Sequence, residues 1–314
     1  MAGSNGVRWD RRLGELTGLS PWATAWVRRV AILAALAGTA LGIYATVLHL
    51  GLDPFADVRV YYDAGARLNA GQPLYSTDAS THFGLYLNPP LLAILFRPLA
   101  LLPFPAAVVI WEAVLVVAFA LTLRRIGIRE PVVIAIGCLA QAIAWSFVIG
   151  QVEPVLTLAL TLASPWSIAF AGHLKLFPWL AAGYWIVRRD VRALGLFAAW
   201  VVGLFLFQLA VEPEATLEFL RLTWLRPAFT VINISPFAVH PLLWVAMLVA
   251  IVALLLRYRR TRAAWPLAVA LAVLAYPRLL VYQLMSLLAA FGGPKAASPE
   301  PADRSPVTGH TSDG

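Results

Sequence analysis

The sequence predicts an all-α, polytopic membrane protein built as a transmembrane helical bundle. Of its 314 residues, 61% are hydrophobic and 13% are charged, which is more apolar surface than a water-soluble core can bury. The apolar residues form continuous runs, whereas a membrane barrel needs alternating segments of about ten residues. We therefore expect about eight to ten membrane-associated helices.

Four uncharged runs are each long enough to cross a hydrocarbon core of roughly 30 Å. They are Val30–Leu50, Pro131–Ile149, Ala193–Val211 and Phe229–Leu256. The first follows a basic stretch, but no small-residue cleavage site comes after it, so we interpret it as a retained helix and not a signal peptide.

Three further apolar runs are shorter or interrupted by prolines. They are Leu91–Leu102, Val155–Ala163 and Ile168–Val187. Interrupted helices at membrane depth are tolerated where they line a cavity or pack within protein. The sequence therefore predicts a buried groove.

Four arginine clusters predict which ends of the helices face the cytoplasm. The clusters are Arg11, Arg12, Arg28 and Arg29; Arg124, Arg125 and Arg129; Arg188, Arg189 and Arg192; and Arg257, Arg259, Arg260 and Arg262. The carboxylates fall largely on the opposite, external side: Asp53, Asp57, Asp63, Asp78, Glu153, Glu212, Glu214 and Glu218. We expect a multi-pass plasma-membrane protein whose N-terminus is cytoplasmic and whose chemistry faces outward.

This topology divides the chain into three parts. Residues 1–29 form a basic cytoplasmic segment, residues 30–291 the transmembrane domain with a first external loop at 51–90, and residues 292–314 a tail rich in Pro, Ser, Ala and Gly that is expected to be disordered. Membrane topology and anionic lipid account for the net charge of +8, so no nucleic-acid partner is expected.

The sequence shows no motif for a metal or cofactor. Its single cysteine, Cys138, lies in an apolar run and is expected to serve packing. No His/Cys/Asp cluster has metal-ligand spacing, and neither a nucleotide-binding glycine pattern nor a serine nucleophile elbow occurs. We expect neither a metal nor a cofactor.

Asp57 is the main candidate for chemistry. It precedes apolar residues at helical spacing: Val58, Tyr61, Tyr62, Gly65 and Leu68. This pattern predicts a juxtamembrane amphipathic helix with the carboxylate in its first turn. The sequence leaves two roles open for Asp57, a structural N-cap or a functional carboxylate.

Lys175 and Arg278 are isolated cations between apolar stretches. A charge at mid-membrane costs about 2.5 to 3.5 kcal/mol on insertion scales, which favours an anionic partner. The alternative is that each side chain reaches the headgroups and anchors the protein there.

Six other polar residues are candidates for substrate binding: Tyr61, Tyr62, Tyr75, Gln151, His173 and His240. Four of them, Tyr75, Gln151, His173 and His240, have a structural alternative. Tyr75 suits an interfacial anchor, Gln151 either donates to a sugar hydroxyl or ends a helix, and a lone histidine in an apolar run is more often a bonded structural residue.

The order of these landmarks resembles glycosyltransferase family 87. The motifs that carry the resemblance are Asp57 with Val60-Tyr61-Tyr62-x-Ala64-Gly65, Gly71-x-Pro73-Leu74-Tyr75, Pro89-Pro90 with Pro98-Leu99-Ala100-x-Leu102-Pro103, Gly150-Gln151, and Ala171-Gly172-x-x-Lys175-x-x-Pro178. The resemblance implies the GT-C membrane fold and an inverting, polyprenyl-phosphate-mannose-dependent α-mannosyltransferase. It also implies that Asp57 is the catalytic base.

The implied partners are a polyprenyl-phosphate sugar donor, a lipid or glycan acceptor of the cell envelope, and membrane lipids. Lys175 and Arg278 are then the candidates for binding the donor phosphate, because cations must stabilise the departing phosphate when no metal is present. Two other functions stay open, a lipid-linked sugar flippase or transporter and a non-catalytic family member. Mutation of Asp57 separates the transporter from the transferase, because a transporter still moves its substrate without that carboxylate.

Overall fold

A computed structural model describes residues 20–75, 86–221 and 233–294. The regular elements within these ranges are fourteen α-helices and three short 3₁₀ helices. The α-helices are α1 Pro21–Leu52, α2 Ala56–Asn69, α3 Pro90–Phe96, α4 Phe104–Ile126, α5 Glu130–Cys138, α6 Ala140–Val148, α7 Glu153–Leu162, α8 Pro165–Leu174, α9 Gly183–Arg188, α10 Val191–Val211, α11 Pro213–Arg221, α12 Pro236–Val239, α13 Pro241–Arg257 and α14 Ala264–Leu274. The 3₁₀ helices are Leu99–Leu101, Phe177–Ala182 and Val281–Phe291. Arg11, Arg12, Asp78 and the tail from 295 lie outside the described residues.

The prediction of an all-α membrane protein is confirmed. Within the described ranges, three helices are long and apolar enough to cross a membrane, namely α1, α4 and α10. Helices α5 and α6 pass the same test as a pair, but they meet at an angle of 61°. The other apolar elements of 10 to 17 residues are α7, α13, α14 and the 3₁₀ helix Val281–Phe291.

Two apolar runs differ from the expected spans. The run Pro131–Ile149 is divided between α5 and α6 at Leu139, and the described part of Phe229–Leu256 is broken at His240, where α12 ends and α13 begins. Conversely, α4 is long and apolar enough to cross although it carries Glu112. A single charge is thus a weaker signal for the end of a helix than a proline.

Small residues let α1 pack closely against the bent pair α5 and α6. A Cβ atom added to Gly38 would lie 2.3 Å from the carbonyl oxygen of Gly137, and one on Gly42 would lie 2.8 Å from the carbonyl carbon of Ala140. Such backbone contact is typical of membrane helix pairs. Cys138 lies at the bend and is exposed, and its Sγ lies 3.9 Å from the carbonyl oxygen of Ala31 on α1.

Helix α2 confirms the predicted amphipathic helix. Its buried residues are Val58, Tyr61, Ala64, Gly65 and Leu68, and Asp57 lies in its first turn. Gly65 lies against the end of α3, where a Cβ atom would approach the carbonyl group of Phe96 to 2.8 Å. This packing fixes the position of the first turn of α2.

Helices α7 and α8 form a hairpin of two ten-residue helices. Ala163 adopts a left-handed conformation with φ 52°, and Ser164 caps α8 in a capping box with Ser167. Because the two helices are equal in length, the end of α8 returns to the beginning of α7. Lys175 is thereby placed beside Glu153.

Candidate active site

The N-terminus of α2 is held by backbone hydrogen bonds that it donates to the end of α6. The amide of Phe55, a residue with φ 58°, donates to the carbonyl oxygen of Val148 at 2.8 Å, and the amide of Asp57 donates to that of Ile149 at 3.0 Å. Phe55 is the N-cap residue, and no side chain caps this helix. The alternative in which Asp57 is the N-cap is therefore wrong, and its carboxylate is available for another role.

Gln151 orients the carboxylate of Asp57. Its Nε2 donates to Asp57 Oδ2 at 2.8 Å, while its Oε1 accepts from the Tyr61 hydroxyl at 2.6 Å and from the Val152 amide at 3.0 Å. Two donors on Oε1 fix which side of the amide group faces Asp57. Gln151 and Tyr61 thus lie at the candidate site and act on the carboxylate.

Gly150 allows this arrangement. It has a φ of +71°, and a Cβ atom here would lie 1.9 Å from Cγ2 of Val58. Its carbonyl oxygen accepts a hydrogen bond of 2.8 Å from Nε1 of Trp111. Any larger residue would push Gln151 away from α2.

The environment raises the pKa of Asp57 from 3.8 to about 6. The main cause is burial, which disfavours the charged carboxylate, and the charge of Asp53 adds to it. Lys175, the hydrogen bond from Gln151 and Arg278 act in the opposite direction. The residue as a whole is half-buried. A pKa close to neutral suits a general base.

Lys175 is held in a buried network that the sequence did not predict. Its Nζ donates to Glu153 Oε1 at 2.6 Å, and the hydroxyl of Ser286 donates to Glu153 Oε2 at 2.9 Å. Nζ also lies 5.0 Å from the centre of the Tyr282 ring. Glu153 is 2% exposed and Lys175 7%. A lone acid and a lone lysine in apolar sequence are a signal for such a pair, but nothing in the sequence joins the two.

Arg278 acts on the same site as Lys175 but is exposed, whereas Lys175 is buried. It has no hydrogen-bond acceptor among the described residues, and its charge lowers the pKa of Asp57. Asn233 braces its loop, because the side-chain amide donates to the carbonyl oxygen of Pro277 at 3.0 Å and accepts from the amide of Leu279 at 3.0 Å. Asn233 thus fixes the backbone on both sides of Arg278, and the guanidinium makes no hydrogen bond to the described residues.

The interrupted elements enclose a small cavity next to this network. Its volume is about 10 Å³, about the space that one water molecule needs. The lining residues are Glu153, Leu156, Leu160, Pro178, Ala272, Val273, Tyr276, Gln283 and Ser286. The buried groove that the prolines indicate stays a prediction.

Three of the sequence-predicted binding residues contact the backbone instead of Asp57. The hydroxyl of Tyr62 donates to the carbonyl oxygen of Leu102 at 2.8 Å, and that of Tyr75 donates to the carbonyl oxygen of Asn88 at 2.9 Å. His240 is the N-cap of α13 and accepts from the amide of Leu242 at 3.2 Å. These contacts favour structural roles.

His173 also lies in a structural network. Its Nε2 donates to the carbonyl oxygen of Val201 at 3.0 Å, and its Nδ1 accepts from the side-chain amide of Gln208 at 2.7 Å. Gln208 Oε1 in turn accepts from the amide of Leu91 at 2.9 Å. His173 thus joins α8 and α10 to α3, and both ring nitrogens are engaged.

Comparison with known proteins supports the resemblance read from the motifs. The model of glycosyltransferase family 87 matches residues 86–283, which is more than half of the chain. The chain belongs to this family. The family match includes Gln151, Glu153, Lys175 and Arg278, whereas α2 with Asp57 precedes it. The role of Asp57 therefore rests on the geometry of the site.

This chain is also similar to a polyprenol-phosphate-mannose-dependent α-(1-2)-phosphatidylinositol mannoside mannosyltransferase of Mycobacterium tuberculosis. The identity is 31% over 209 residues, covering 55% of this chain and 47% of the relative. The chain thus spans about half the length of the curated relative that it matches. No solved structure matches the chain, so the GT-C fold stays a prediction.

Proposed function

We propose that this protein is a membrane glycosyltransferase that transfers a sugar, mannose, from a polyprenyl-phosphate-linked donor to a lipid or glycan acceptor of the cell envelope. One observation carries the proposal. The carboxylate of Asp57 is oriented by Gln151 and lies within the electrostatic reach of two cations, Lys175 and Arg278. Family membership and the activity for which the mycobacterial relative is named support the same donor class and a glycolipid acceptor.

The reaction assigns a role to each charged group. Asp57 accepts the proton of the acceptor hydroxyl as its oxygen attacks the anomeric carbon of the donor. The bond from that carbon to the phosphate oxygen breaks, and polyprenyl phosphate leaves with the bonding electron pair. Lys175 and Arg278 stabilise the charge that develops on the phosphate. A single displacement at a β-linked donor inverts the anomeric carbon and gives an α-linked product.

The proposed orientation places Asp57 on the extracytoplasmic side of the plasma membrane and the N-terminus in the cytoplasm. The described arginines support it, since Arg124 and Arg125 lie at the end of α4 and Arg257 lies at the end of α13. Arg188 also donates to the carbonyl oxygen of Arg259 at 2.9 Å, which joins two clusters. Arginine-rich helix ends favour the cytoplasmic face.

The test is release of free polyprenyl phosphate from a panel of polyprenyl-phosphate sugars. The purified protein is placed in nanodiscs with a lipid extract as acceptor. The native chain is expected to release polyprenyl phosphate from the mannose donor, and Asp57→Asn is expected to lower the rate at least about a hundredfold, because the base is lost while the size of the side chain is kept. Asp63→Asn is the matched control, because Asp63 lies on the same helix and is only about half buried.

Each outcome separates the proposed function from its alternatives. Donor turnover that persists in Asp57→Asn would exclude Asp57 as the base. Movement of the donor across the bilayer of sealed vesicles without turnover, equal in the native chain and in Asp57→Asn, would instead identify a flippase. Donor binding without turnover or movement would identify a non-catalytic member of the family.

A further inference from the structure

The buried pair of Glu153 and Lys175 is a costly way to hold a fold together. Burying two charges costs several kcal/mol per ion, and apolar residues of similar size would often stabilise a core as well or better. Both oxygens of the Glu153 carboxylate nevertheless accept a hydrogen bond, one from Lys175 and one from Ser286.

The two partners are held unequally. The Ser286 hydroxyl that donates to Glu153 also lies 3.2 Å from the hydroxyl of Thr157, one turn further along α7. Lys175 follows the last residue of α8 in an extended conformation, and among the described residues its ammonium group has one hydrogen bond, to Glu153. An ammonium group has three donors, so two are free for an incoming anion. Glu153 is the fixed partner and Lys175 the one able to move.

Lys175 acts on two carboxylates. It is bonded to Glu153, and its charge also lowers the pKa of Asp57. With Arg278 included, two cations act on Asp57, and Lys175 is already paired with Glu153. A donor phosphate that binds here must therefore compete with Glu153 for Lys175.

We propose that Glu153 is the resident counter-ion of Lys175, that the donor phosphate draws Lys175 away from it, and that Lys175 returns to Glu153 as polyprenyl phosphate leaves. The inference rests on the proposed function and adds a step to it. The sugar-bearing donor is a phosphodiester with one negative charge, whereas the product is a monoester with a charge of about −1.5 to −2 at pH 7. Glu153 therefore repels the product more strongly than the donor. It is a positioning residue that acts through Lys175.

The substitution Glu153→Gln tests this role, because it removes the charge and keeps the shape and the hydrogen bond from Ser286. The probe is polyprenyl phosphate without a sugar, whose affinity is measured by displacement of a fluorescent analogue in nanodiscs. Removing one nearby negative charge is expected to tighten binding on the order of tenfold. With the mannose donor, KM is expected to fall and kcat to fall with it, because product release becomes slower.

Glu130→Gln is the matched control. Glu130 forms a pair with Arg28 at the same N–O distance of 2.6 Å, on α5 and apart from the candidate site. The same change of charge there is expected to leave the affinity for polyprenyl phosphate unchanged. If Glu153→Gln does not fold, Glu153→Asp serves instead, since it withdraws the carboxylate from Lys175 and is expected to tighten binding by a smaller factor.

The outcomes distinguish this inference from the proposed function. Unchanged or weaker binding of polyprenyl phosphate by a folded Glu153 variant would show that the pair is structural only, and would leave the proposed function intact. Failure of the native chain to bind polyprenyl phosphate would overturn both. Tighter binding in Glu153→Gln and not in Glu130→Gln supports the exchange of counter-ions.

Discussion

Gln151 donates a hydrogen bond of 2.8 Å to Asp57 from a position 94 residues further along the chain. The bond joins the turn before α7 to the first turn of α2, and it is made by an amide whose oxygen is already occupied by Tyr61 and Val152. The carboxylate is therefore fixed in orientation before any substrate binds, which lowers the cost of ordering a reacting group.

The pKa of Asp57 predicts how activity depends on pH. Burial raises this pKa to about 6, so below pH 6 the carboxylate is protonated and cannot accept a proton. We expect kcat/KM in the native protein to rise with pH through about 6 and to level off about one unit higher. The measurement is initial rate against pH at low donor concentration, and a profile that is flat between pH 5 and 8 would contradict Asp57 as the base.

Replacing Gln151 by glutamate is expected to move this profile. The new carboxylate would lie against Asp57, and two carboxylates at hydrogen-bond distance share a proton. The pH at which kcat/KM rises should increase by at least about one unit. Gln72→Glu is the control, because it adds the same charge at an exposed position near the end of α2. An equal profile for both variants would show that Gln151 does not touch the base.

The two cations are expected to differ in their effect on stability. Lys175→Met leaves Glu153 as a buried, unpaired charge and should cost about 3 to 5 kcal/mol of unfolding free energy. Arg278→Gln breaks no hydrogen bond among the described residues and should leave thermal stability unchanged, while it raises KM for the donor about tenfold. Thermal denaturation and steady-state kinetics of both variants check this, and equal stability losses would contradict the assigned geometry.

Gly150→Ala is expected to damage the site more than the same change at Gly71. Both glycines have positive φ, +71° and +65°, so both substitutions strain the backbone by about 1 to 2 kcal/mol. Only at Gly150 does the added Cβ meet a neighbour, Cγ2 of Val58, whereas the space around Gly71 is open. We expect loss of most activity in Gly150→Ala and near-native activity in Gly71→Ala, measured as polyprenyl phosphate release.

Several features of the fold and site are readable from the sequence because they are local. The spacing of Val58, Tyr61, Gly65 and Leu68 predicted α2 and the place of Asp57 in its first turn, and the structure confirms both. Composition predicted the helical membrane architecture, since apolar surface on this scale requires lipid as its solvent.

The number of spans and the partners of the polar residues are not local properties. The bend between α5 and α6 depends on close packing against α1, and the sequence gives no sign of it beyond Gly137. Likewise His173, in an apolar run, has the same sequence signature whether it binds a substrate or backbone carbonyls. Only the fold shows that Val201 and Gln208 engage both of its ring nitrogens.

By itself the sequence determined the class of the protein, the amphipathic helix α2 and the isolated charges that are candidates for an active site. Tertiary structure alone decided that Gln151 orients Asp57, that Glu153 pairs with Lys175, and that the charges of Lys175 and Arg278 act on the same carboxylate. The physical reason is that helix periodicity depends on neighbours within a few residues, whereas the energy of a charge in an apolar environment depends on whichever groups the fold brings within a few ångströms of it.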